Sequence, residues 1–190
     1  MIAFRALFLL LRGRKDVPEG GVAVPYSGES TTVLVALLVA SLVEIVAVEF
    51  LVPWATVRWS LLLLSVYGVV WILGHLASLI TRPHVIGPAN LVLRNGSCTE
   101  HAFPLTAVRS ARAERKGNHE GSMSIDDETL NIPAGDTTTV FVAFDPPQEF
   151  DGRTITGVRF HADDPKAALR LLARTTAPAP ARHRPPSSAP

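Results

Sequence analysis

The sequence predicts an α+β membrane protein: a transmembrane α-helical hairpin, then a small antiparallel β sandwich or barrel closed by a C-terminal helix. Three observations carry this expectation. The apolar residues are concentrated between 31 and 81, although the 190-residue chain as a whole is only 47% hydrophobic. From residue 82 the pattern changes to short β-prone runs separated by turn residues. Near the end, Asp163-Asp164-Pro165 opens an amphipathic stretch, an acidic cap with proline at the first helical position. The expected organisation is a short interfacial helix and linker over 1–30, a helical hairpin over 31–81, a β domain over 82–175 and a disordered Pro-rich tail over 176–190.

Thr31 to Val52 and Val57 to Ile80 are the two candidate spans. Each exceeds the roughly 20 helical residues needed to cross about 30 Å of hydrocarbon. The connection, PWAT, is too short for anything but an antiparallel return. Pro53 ends the first helix, and Trp54 and Trp59 suit the interfacial aromatic belt. Arg5, Arg12, Arg14 and Lys15 precede the first span; Arg82, Arg94, Arg109, Arg112, Arg115 and Lys116 follow the second; the loop side has only Arg58. The positive-inside rule therefore predicts a multi-pass plasma-membrane protein with both termini cytoplasmic.

The first 30 residues carry weaker signals. MIAFRALFLLLRGRK has a short apolar core broken by Arg5, its strong basic residues follow that core, and no small-x-small site comes next, so it does not read as a signal peptide. Phe4, Leu7, Phe8 and Leu11 are spaced for one face of a short helix lying in the membrane interface, the other reading being a frayed terminus. DVPEGGVAVPYSGES reads as a linker. Cys98 is the single cysteine, so no internal disulfide forms, which fits a reducing compartment. The three lysines, Lys15, Lys116 and Lys166, are far outnumbered by arginines, a mark of base composition rather than function.

Two glutamates interrupt the first span. Glu49 lies about 6 Å along the helix from Pro53, near the headgroups, where Arg58 on the returning helix is within reach. Glu44 lies about 13 Å in, where an exposed carboxylate is costly. The matching depth on the second helix is Val66 to Val70, so Tyr67 is its expected hydrogen-bond donor. Glu44 then serves helix pairing, within the chain or between copies, as a protonated or Tyr-bonded group, or a proton or cation path, or an interface with another protein. Two helices enclose no pore, so a path requires a homo-oligomer; Ala36 and Ala40, like Gly74 and Ser78, have the spacing that permits close helix approach.

Beyond Pro83, seven strands are expected, in NLVLR, SCTEHAFPL, TAVRSARAER, MSID, ETLNIP, TTTVFVAFD and TITGVRFHA, with turns at Asn95-Gly96 and Ala134-Gly135-Asp136. KAALRLLAR follows as a helix with Ala168, Leu169 and Leu172 on one face, a plug for the open end of a barrel. This arrangement resembles the bacterial pleckstrin-homology-like (PH-like) domains that follow a two-helix hairpin. RPHVIGPANLVLRNG, EHAFPLTAVRSAR and TGVRFHADDPKAALRLL resemble uncharacterised two-span integral membrane proteins of actinobacteria. That resemblance implies topology and lends no chemistry.

No phosphate loop, GxSxG, HExxH or paired CxxC motif is present. The histidines outside the spans lack ligand spacing, and Cys98 and His101, three apart on a strand, point to opposite faces. The acidic cluster Asp126, Asp127 and Glu128 lacks the calcium-loop pattern and reads as a solvated turn. No enzyme and no cofactor is expected. Residues 82–116 hold six basic and two acidic side chains, residues 117–153 one basic and eight acidic. The basic half adjoins the membrane, which makes Arg94, Arg109, Arg112 and Arg115 the expected face for anionic lipid or a partner. Nucleic acid is not expected, because no aromatic residues interleave with these arginines. The expected role is a membrane-anchored, non-catalytic binding or scaffold protein. Its partners would be the bilayer and another membrane or cytoplasmic protein. The alternative is an oligomeric transport or channel component using Glu44.

Overall fold

The structure, a computed structural model, describes residue 12 and residues 16–95, 99–119 and 121–176. The expected interfacial helix, the Asn95-Gly96 turn, Cys98 and the tail beyond Thr176 lie wholly or partly outside them. Two long helices form, α1 over Gly28–Leu51 and α2 over Ala55–Thr81. Both are long and apolar enough to cross a membrane. Leu34, Leu38, Ser41, Ile45 and Val48, at alternating spacings of three and four, are the less exposed positions of α1 and form the stripe turned toward α2. Apart from Glu44, Glu49 and Arg58, the rest of the hairpin surface is largely apolar and bare, with Val39, Val43, Val46, Leu63 and Leu64 all exposed. A surface of that kind is the inverse of a soluble helix pair and suits lipid.

The end of α2 behaves differently. Ile72, Gly74, Ala77, Ser78, Leu79 and Thr81 are buried. Leu79 packs with Tyr26 and Ala134 in a small second core that Leu34 of α1 borders. The hairpin root is thus seated on the β domain.

Nine strands are present among the described residues, against the seven expected. They are β1 Val22–Val24, β2 His84–Ile86, β3 Asn90–Asn95, β4 Thr99–Pro104, β5 Val108–Lys116, β6 Ser124–Asp126, β7 Thr129–Ile132, β8 Thr138–Phe150 and β9 Arg153–Phe160. The two additions are three-residue strands, too short to show an alternation. One of them, β1, arises from the stretch expected to be a linker: it pairs antiparallel with β2, Ala23 opposite Val85. The first sheet has the order β1-β2-β3-β4 and the second β5-β8-β9-β7-β6.

The expectation of a wholly antiparallel domain needs correction, because β7 and β9 are parallel, Leu130 opposite Val158. The turn at Gly135 (φ 64°) does reverse the chain between β7 and β8, but β9 inserts between them. A turn signal sets a reversal and leaves open which strand fills the gap.

Leu91, Leu93, Phe103, Leu130, Val140, Val142, Ile155, Val158 and Phe160 fill one core between the sheets. The last helix, α3 over Pro165–Thr176, adds Ala168 and Leu172 to it. Two tight turns close hairpins. Asp151 (φ 49°) and Gly152 (φ 70°) join β8 to β9. Asp127 (φ 47°) and Glu128 (φ 57°) join β6 to β7, so two of the three acidic residues form a two-residue turn of the primed type and Asp126 ends β6. At Gly157 a Cβ would lie 2.8 Å from the Phe141 ring and 2.9 Å from the Val142 carbonyl; only glycine lets that ring lie across β9.

Candidate functional site

The residues that carry the most interactions gather where the hairpin meets the sheets. Asp163, in the loop after β9, accepts from the Gly28 N–H at 3.1 and 3.2 Å, so a carboxylate of the β domain caps the first turn of α1. The Asp163 N–H donates to the Pro25 carbonyl at 2.9 Å. Its neighbour Asp164 caps α3, accepting from the Ala167 N–H at 3.0 Å. Two adjacent aspartates therefore start two different helices.

The end of α2 is held by charge. Arg82 lies 3.0 Å from the Glu100 carboxylate and 3.8 Å from Asp16. Arg94 donates to the same Glu100 oxygen at 3.0 Å and to the Asp16 carbonyl at 2.5 Å, and the Asp16 N–H donates to the Thr81 carbonyl at 2.8 Å. Beneath this network His84 is buried, stacked on Tyr26 with ring centroids 4.3 Å apart and edge-on to Phe160 at 5.4 Å. Its Nδ1 accepts from the Arg94 N–H at 3.0 Å, and among the described residues its Nε2 has no hydrogen-bond partner. Burial lowers its pKa to about 3; the backbone of His161 offsets part of that, and electrostatic interactions with His161 and Arg94 add to it. His84 is thus a neutral ring acting as a core aromatic with one acceptor. His161, bonded through Nδ1 to the Thr137 carbonyl at 3.1 Å and 3.7 Å from Asp163, sits beside it.

The candidate intramembrane residues divide into one pair and two unpaired groups. Glu49 and Arg58 meet across the loop end of the hairpin at 3.8 Å. Glu44 and Tyr67 do not meet: both are exposed, Tyr67 by 68%, and among the described residues neither side chain forms a hydrogen bond. Glu44 is exposed on the flank of α1 next to Ala40, beside the stripe facing α2 and not within it. Equal depth on two helices does not make two side chains face each other; the helix rotation decides it.

The four candidate arginines also divide. Arg94 is only 3% exposed and belongs to the joint just described, so it forms no part of an outer face. Its position on the outer side of β3 would ordinarily expose it, but Asp16 and Glu100 close over it. Arg112 pairs with Glu114 through Nε at 2.8 Å and lies 4.3 Å over the Phe141 ring, which Arg159 covers at 4.8 Å. Burial raises the Glu114 carboxyl, but hydrogen bonds from Arg112 and Arg159 outweigh it and hold the group below the usual range. Arg109 and Arg115 are exposed, with no ion pair among the described residues.

The joint went unread in the sequence because its members are distant: Asp163 and Gly28 are 135 residues apart. The only local signal was the doubled aspartate before Pro165, one more acid than a single helix start needs. Among the described residues no cluster of His, Cys, Asp and Glu has the arrangement of a metal site. No family model, curated protein or solved structure matches the chain.

Proposed function

We propose that this chain is a membrane-anchored, non-catalytic binding or scaffold protein. The two apolar helices cross the cell membrane with both ends on the cytoplasmic side. They hold a β domain of PH-like character at the inner surface, where it engages lipid headgroups or a protein partner. The observation that carries this reading is the joint. Asp163 on Gly28, Arg82 on Glu100 and Leu79 against Ala134 fix the domain to the root of an apolar hairpin, so insertion sets its orientation as well as its location. Fixing a domain at a surface makes weak binding effective by raising local concentration.

The basic strand supports the same reading. β5 runs from Val108, opposite Phe144, to Lys116, opposite Thr138. Thr138 follows the Ala134–Thr137 turn that packs on the hairpin root. Arg115 and Lys116 therefore lie at the membrane end of the strand, where anionic lipid attracts each basic residue by about 1 kcal/mol. The test is crosslinking in native membranes with Arg109→Glu/Arg115→Glu beside the unaltered chain. Reduced recovery of lipid or protein partners at equal membrane content supports the reading; unchanged recovery counts against a basic docking face.

One observation favours a second reading. Glu44 faces outward from the hairpin, where lipid would surround it and an ionisable group is expensive. An oligomeric transport or channel component would cover it with another copy. Reconstituted Glu44→Gln protein should then lose flux, whereas an anchor keeps its partners.

A further inference from the structure

β4 is a free edge. It is the outermost strand of the first sheet, six residues long, with β3 on one side only. Its hydrogen-bonding phase follows from two bonds. The Leu105 N–H donates to the Ala89 carbonyl, in register with the Asn90–Pro104 pairing, so positions 101 and 103 turn their backbone groups toward β3. Consistently, the Arg94 N–H opposite Glu100 turns away from β4 and donates to His84. The backbone groups of Glu100 and Ala102 therefore point outward, both residues are exposed, and among the described residues no backbone group pairs with them.

This edge borders a cleft of about 480 Å³ between β4, the segment before β6 and the β8–β9 hairpin. Its floor is apolar: His101 lies edge-on to Phe150 at 4.6 Å, Phe150 is near Phe103, and Met123 stands 36% exposed beside them. Burial lowers the His101 pKa, and among the described residues its buried Nε2 has no hydrogen-bond partner. The rim is acidic. Glu149 and Asp151 form no ion pair among the described residues, whereas Glu100 is already held by Arg82 and Arg94, and no arginine or lysine among the described residues lines the cleft.

We infer that the β4 edge is a docking site for an extended segment of a partner protein in which basic residues alternate with apolar ones. Such a segment adds as a strand to the outward groups of Glu100 and Ala102. It places apolar side chains over Met123 and Phe150 and its cations beside Glu149 and Asp151. The inference rests on the binding reading above and names the partner's chemistry for a second surface, separate from the basic strand β5.

The test uses the full chain in nanodiscs of neutral phosphatidylcholine and a fluorescein-labelled heptapeptide of alternating lysine and valine, read by fluorescence anisotropy. The lysine peptide binds and the matching glutamate peptide does not. N-methylation of the alternate backbone nitrogens that would face β4 weakens binding by about tenfold or more, while methylation of the others leaves it. Ala102→Pro, which removes one outward N–H at a position where an edge strand tolerates proline, weakens it similarly. So does Glu149→Lys/Asp151→Lys. Absence of binding, or binding indifferent to N-methylation, overturns the inference. Binding seen only after residues 177–190 are removed also overturns it, by assigning the edge to the chain's own tail with its Arg182 and Arg184. If the peptide fails while partner capture through Arg109 and Arg115 persists, only the β4 site is lost; if capture fails while the peptide binds, only the basic face is lost.

Discussion

The carboxylate of Asp163 closes on the backbone N–H of Gly28 at 3.1 Å, joining the β domain to the first turn of a helix that precedes it by 135 residues. A helix start leaves N–H groups unpaired, and the cap here is supplied in trans by the fold rather than by Ser27, which makes no side-chain cap bond. Asp163→Ala is expected to destabilise the joint by about 1 kcal/mol, with Asp163→Asn losing less. Gly28→Ala brings a Cβ to 3.1 Å from the same carboxylate and weakens the cap as well. Hydrogen exchange at residues 28–31 reads this directly: faster exchange in Asp163→Ala, confined to the root of the hairpin, is the expected pattern.

The Phe141 ring between Arg112 and Arg159 depends on an absent side chain. Gly157→Ala forces the ring or the Val142 carbonyl to move and should cost about 1–3 kcal/mol, as overpacking usually does. Gly157→Ala/Phe141→Ala should lose less than the sum of the two single changes. Thermal unfolding of the four proteins forms a double-mutant cycle that checks it.

Glu128 holds a left-handed backbone (φ 57°) that a side chain disfavours by roughly 1–2 kcal/mol. Glu128→Gly should therefore raise the melting temperature, even though glycine also loosens the unfolded chain. A lower melting temperature would mean that the Glu128 side chain makes up the difference.

His84 makes stability pH-dependent in a stated direction. Its folded-state pKa, about 3, lies below the ordinary 6.5, so between these values the unfolded chain binds a proton that the folded chain refuses. Stability should fall as pH drops from 6.5 toward 3, by up to about 1.4 kcal/mol per pH unit from this group. His84→Leu should be less stable at pH 7, because the Arg94 N–H loses its acceptor, yet flatter through that window. Melting temperatures across pH 4–7 for both proteins test the slope.

What the residues disclosed and what they concealed follow the same physics. The long helices were legible because hydropathy sums over twenty positions, and β3 through β9 because each spans enough residues to alternate or ends in a turn. β1 and β2 were concealed by length. Glu49 and Arg58 flank one short loop, so chain geometry alone brings them to 3.8 Å. Arg94 was misplaced for the opposite reason. Its strand position is outward, and what buries it, Asp16 and Glu100, comes from two other parts of the chain. The open edge of β4 was equally hidden, since edge status is a property of sheet order.

A hairpin that crosses the bilayer leaves the β domain on the same side as Tyr26. In a Cys98→Ala background, single cysteines at Ala55, the first residue of α2 after the connection, at Glu19 before β1 and at Asp151 in the β8–β9 turn can be challenged with a membrane-impermeant maleimide in intact cells. The expected result is labelling at position 55 alone until the membrane is opened, after which positions 19 and 151 label together. Labelling of 19 and 151 from opposite sides, or recovery of the full chain in the soluble fraction without detergent, would contradict it.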